Sequence, residues 1–79
     1  MALLSSARNT PFTPAAGDFI VQCSAGSVEL QRENASGAGF VGVGIITGGN
    51  APIVSNPIAG ARYQFVQVGS TTATPRADQ

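Results

Sequence analysis

The chain has no histidine, no lysine and no tryptophan, a single cysteine and a single tyrosine, and only four arginines, two aspartates and two glutamates to carry charge in 79 residues. These gaps remove most enzyme chemistry. A nucleophile needs a base beside it, and without His or Lys the candidate bases are Asp18, Glu29, Glu33 and Asp78, scattered along the chain. One cysteine closes no internal disulfide, and the usual zinc ligand sets cannot be assembled without His. The net charge is zero, so no field attracts a polyanion, and nucleic acid is not an expected partner. No apolar run reaches the length of a membrane span. The start, Met1-Ala2-Leu3-Leu4-Ser5-Ser6, lacks the basic region and long apolar stretch of a signal peptide. These features describe a protein that is not an enzyme, carries no cofactor or metal, and is made in a cytoplasm.

Charged residues make up 10% of the chain, against about 25% in soluble domains. A free monomer with so little charge is poorly protected against association. Three Leu, five Ile, seven Val and four Phe supply a modest core, and nothing covalent or metallic staples it. Association with copies of itself or with a larger surface is the remaining stabilising device.

What is present is strand pattern. Residues 17–79 alternate apolar and polar positions in short runs broken by Gly, Asn and Pro. Phe19, Val21 and Cys23 share one face of a first strand, where Cys23 reads as a small buried apolar residue. Ser24-Ala25-Gly26-Ser27 supplies a turn, and Ser27 to Glu33 follows with Val28 and Leu30 inward, so the two strands read as a β-hairpin. Phe40 to Ile46 places Val41, Val43 and Ile45 on one face, while Gly42 and Gly44 leave the other bare, as at a bulge or a close approach. Ile53-Val54 is a short edge strand behind Pro52. Ala61 to Val68 sets Tyr63 and Phe65 on one face, and Thr71 to Arg76 is assigned to an edge because it contains Pro75. About six short strands without helical period specify an all-β fold, an antiparallel β-sandwich or a small barrel.

Residues 1–16 read as an extended N-terminal arm outside that domain, because Pro11 and Pro14 remove backbone donors. Leu3, Leu4 and Phe12 on it are candidate contacts with a neighbouring subunit. Phe12 is either such an anchor or an incidental residue of a mobile tail. The arm is expected to be mobile in the free protein and dispensable for folding of the β domain. Arg32, Arg62 and Arg76 are the other candidate partner contacts, the alternative being cross-strand pairs with Glu29, Glu33 or Asp78. Three further patterns carry little: Asp18 with Glu29 as a carboxylate pair, Gly37-Ala38-Gly39 as a phosphate loop without helix or Lys behind it, and Asn34-Ala35-Ser36 as a glycosylation acceptor, which reads as a turn.

The order of segments also matters. Val28, Leu30 and Arg32 in a "V-x-L-x-R" strand, a Gly-rich loop, Pro57, Gly60 and Tyr63 leading into a late strand, and a Thr/Ala-rich end closing on Gln79 together resemble a group of small bacteriophage virion proteins. Phe40 or Val41 stands where that group often has Trp. The resemblance implies a β-sandwich that decorates a phage particle, a capsid decoration or cement protein. Its partners would be the major capsid protein and copies of itself, a trimer being one arrangement. The alternative is a tail or head-fibre module that binds a host surface or carbohydrate.

Overall fold

Among the described residues, extended backbone forms seven strands: β1 (Leu3–Ser5), β2 (Phe19–Cys23), β3 (Ser27–Glu33), β4 (Phe40–Thr47), β5 (Ile53–Val54), β6 (Tyr63–Val68) and β7 (Pro75–Asp78). The computed structural model describes residues 2–34, 37 and 39–79, and no helix occurs among them. The strands form two wholly antiparallel sheets, one ordered β1-β7-β2-β5 and the other β4-β3-β6. The architecture is a β-sandwich, which separates it from the barrel that the strand pattern allowed.

Period-two alternation does what it should in β2 and β3. Phe19, Val21 and Cys23 are buried on one sheet, Val28 and Leu30 on the other, and Tyr63 and Phe65 lie beside Leu30 and Arg32 in the register of β6. Around these a core gathers with Phe12, Ile46, Ala73 and Ala77. The expected hairpin between the first two of these strands does not form. β2 and β3 belong to different sheets, and the turn between them is a corner that carries the chain across the core. Gly26 makes it possible: its φ is +69°, and a Cβ there would lie 3.0 Å from both Ala73 Cα and Thr71 O. The thiol of Cys23 donates to Ala25 O at 2.9 Å inside the same corner.

The last strand also differs from expectation. It begins at Pro75 and lies inside its sheet, between β1 and β2. Proline is tolerated because it is the first residue of the strand, where its missing N–H costs no ladder bond.

Residues 1–16 are not a free arm. β1 pairs with β7, and Ala2 and Gln79 exchange backbone hydrogen bonds at 2.9 and 3.0 Å. The chain then crosses to the other sheet, where Asn9 N–H donates to Phe65 O (2.7 Å) and Phe12 and Tyr63 exchange bonds of 2.8 and 2.9 Å. This segment covers the outer edge of β6. Phe12, 8% exposed, stacks on Phe65 at 5.4 Å and meets Phe19 edge-on at 6.1 Å. The pocket it fills belongs to its own chain.

Asn56 is fully buried. Asn56 accepts from Tyr63 OH at 3.1 Å, donates to Ala15 O at 2.9 Å, and accepts from Gly17 N–H at its carbonyl. Asn56→Ala leaves the Tyr63 hydroxyl buried without its acceptor, a cost of about 1–3 kcal/mol. Tyr63→Phe is expected to cost about 1 kcal/mol. Because the two groups serve each other, the double variant should lose less than the sum of the singles in urea titrations. Additive losses would show that the pair does not act as one unit.

Candidate functional site

The two sides of the sandwich are unlike. One is closed by the N-terminal segment along β6. On the other, β4 and β5 are both edge strands, and between them lies a cleft of about 350 Å³. Val21 and Leu30 form its floor, Val43 to Ile46 one wall and Pro52 to Ser55 the other. No titratable side chain lines it. Such a surface offers backbone hydrogen bonds, the Ser55 hydroxyl and apolar contact.

β4 owes its shape to a bulge. Leu30 pairs with Gly44 but Gln31 with Gly42, so Val43 is an extra residue in the ladder. The alternation therefore changes phase: Ile45 is opposite Glu29 while Val41 is opposite Arg32, and the single face expected for Val41, Val43 and Ile45 is broken. Gly42 has a second reason. A Cβ there would come within 2.6 Å of Glu29 Oε2, whose carboxylate lies across the outer face and accepts from Gln31 Nε2 (2.8 Å), itself bonded to Gln64 (2.9 Å). Val41, Val43 and Ile45 are 50%, 51% and 61% exposed, and Ile53 on β5 is 68% exposed.

The arginines divide. Arg62 forms an ion pair with Glu33 and lies 5.8 Å over the Phe40 ring. Arg76 donates to both oxygens of Asp78, from Nε at 2.8 Å and from Nη2 at 3.0 Å. The Arg32 side chain, half-buried beside Val41 and Tyr63 in the register, has no hydrogen bond or ion pair with any described residue. Leu3 stays half-exposed opposite Asp78, and Leu4 packs against the core. Asp18 precedes β2 and Glu29 lies in β3 of the other sheet. Part of the acceptor pattern at Asn34-Ala35-Ser36, and Ala38 of the glycine loop, fall outside the described residues.

Hydrogen bonds from Arg62 hold the Glu33 carboxyl below its ordinary 4.5, and those from Arg76 hold Asp78 below 3.8. A depressed folded pKa adds stability above the unfolded value, and that stability is lost as pH falls through the folded one. Unfolding free energy is therefore expected to hold from neutral pH to about pH 5 and to decline below about pH 4. Asp78→Asn should flatten that acid limb in denaturant titrations. An unchanged acid limb would mean that the pair contributes nothing.

The exposed residues of the open edge, Val43, Ile45 and Ile53, are absent from the sequence-derived contacts. The signal for them is a run without charge: no charged residue occurs between Glu33 and Arg62, and five of the seven exposed large aliphatic side chains fall inside it. Comparison with protein-family models, curated proteins and solved structures finds no match to this chain.

Proposed function

We propose that this chain is a structural subunit that works through protein–protein contacts, and that it decorates the head shell of a bacteriophage as a cement protein bound to the major capsid protein. The observation that carries the associative role is the open side of the sandwich, an uncharged edge strand beside a mostly apolar cleft. Exposed edges of this kind are templates for another chain, and isolated soluble proteins blunt them with charge or proline. The phage setting comes from the resemblance in segment order described above.

The fibre-type alternative, binding of host surface or carbohydrate, needs aromatic platforms at the surface. Phe12, Phe19, Tyr63 and Phe65 are buried, and Phe40 is half-buried under Arg62. That spends the rings on the core and favours the shell role.

Phage particles purified on a density gradient from cells carrying the gene supply the test. The chain is expected to band with heads, at a copy number comparable to that of the major capsid protein. Recovery with separated tails would transfer the reading to the fibre alternative, and confinement to the soluble lysate would overturn both.

A further inference from the structure

The inner face of the β4-β3-β6 sheet runs out at one corner. Val28, Leu30, Tyr63 and Phe65 on that face are at most 2% exposed. Arg32 continues the same row of β3 two residues past Leu30, opposite Tyr63 on β6 and Val41 on β4, so Arg32 and Val41 are both set on the core side of the sheet. Yet Val41 is 50% exposed. The core ends before the row does, and the cleft floored by Leu30 and walled by Val43 to Ile46 adjoins the place where it ends.

Arg32 is also the odd one of the four arginines. Arg8 donates to Gln67, and Arg62 and Arg76 hold Glu33 and Asp78, whereas the Arg32 side chain bonds no described residue. A half-buried guanidinium beside a buried ring and a valine has lost part of its water, and nothing in the chain offsets that loss. The group its planar fork matches is a carboxylate.

We infer that this corner receives an extended segment of a partner protein whose apolar side chains enter the cleft and whose carboxylate, two residues beyond the last of them, pairs with Arg32. This rests on the reading of the chain as a subunit that works through protein–protein contacts, and it names the chemistry of the contact. The spacing follows from β3 itself: Leu30 and Arg32 are two residues apart on one face, roughly 6.6 Å along extended backbone, and an extended guest repeats that distance between its own alternate side chains. The apolar wall, Val43 to Ile46, accepts many sequences, so selectivity falls to the charge. A segment without the carboxylate would cover Arg32 further and leave it unpaired.

The probe is the blocked peptide acetyl-Ser-Val-Ser-Val-Ser-Glu-Ser-amide, in which the glutamate is the only charge, titrated into the isotope-labelled full chain and followed by amide NMR shifts. Saturable shifts are expected in β4 and β5. Replacing the peptide's Glu by Gln, or Arg32→Gln in the chain, should each weaken binding about 10-fold. The two changes together should weaken it no more than one alone, because both remove the same pair. Arg8→Gln, whose side chain bonds Gln67 on β6, should leave the affinity unchanged and so excludes a general charge effect. The Glu and Gln peptides on the wild-type chain make the comparison even if the Arg32 variant does not fold.

Equal affinity for the two peptides, shifts outside β4 and β5, or no binding overturns the inference. A second copy in the cleft would appear as a dimer in sedimentation equilibrium and would overturn it as well. Particle association is measured separately: a chain that bands with heads but does not distinguish Glu from Gln refutes this site and spares the structural role. A chain that selects the acidic peptide but stays in the soluble lysate does the reverse.

Discussion

Removal of residues 1–16 is expected to unfold the domain. The truncation strips β1 from β7 and uncovers the edge of β6. It also takes away Phe12, the buried Pro14, and Ala15, the carbonyl partner of Asn56. A domain of this length has roughly 4–12 kcal/mol of stability at about 0.05–0.15 kcal/mol per residue. Loss of the Phe12 ring costs about 3–5 kcal/mol, and the buried Asn56 amide N–H deprived of its Ala15 acceptor costs about 1–3 kcal/mol more. The backbone bonds that close β6 and β7 are lost as well. Circular dichroism of the truncated chain should show no cooperative thermal transition, and the protein should be poorly soluble because β6 becomes an open edge. A soluble truncation with native strand signal and an unchanged midpoint would show that the segment is an accessory arm after all.

Phe12→Ala, made in the full chain, tests the single largest element of that loss. The ring touches Phe19, Tyr63 and Phe65, and its removal leaves a cavity where both sheets meet. Aromatic truncations of this kind cost about 3–5 kcal/mol, a large share of the stability available. Denaturant titration should show the midpoint shifted strongly to lower denaturant. Phe12→Leu should recover more than half of the loss, because it refills much of the cavity. A loss below about 1 kcal/mol for Phe12→Ala would place the ring outside the cooperative core.

Strand content and facing were legible because they follow from local geometry. Side chains alternate across a strand, so Phe19, Val21 and Cys23 must share a face, as must Val28 and Leu30 and as must Tyr63 and Phe65. Gly42 and Gly44 announced an irregularity, and the ladder has its bulge between them.

Pairing was not legible. A turn of Ser24 to Ser27 followed by a second alternating run buries the same residues whether the strands lie side by side or face each other across a core. The assembled structure takes the crossing, with Gly26 packed against Thr71 and Ala73 at the corner. The same ambiguity hid β1 and misjudged Phe12 and Pro75. Proline rules out particular backbone bonds, but whether a segment is free or docked depends on which edge is left open elsewhere in the chain. Residues 9–12 are ordered by β6, more than 50 residues away in sequence. Arginine partners divide in the same way: Arg76 finds Asp78 two residues on, while Arg62 finds Glu33 only because β3 and β6 are neighbours. Alternation and composition are properties of single segments and can be read one segment at a time. Edge coverage, and with it the open side at β4 and β5, is a property of all seven strands together and exists only once they are assembled.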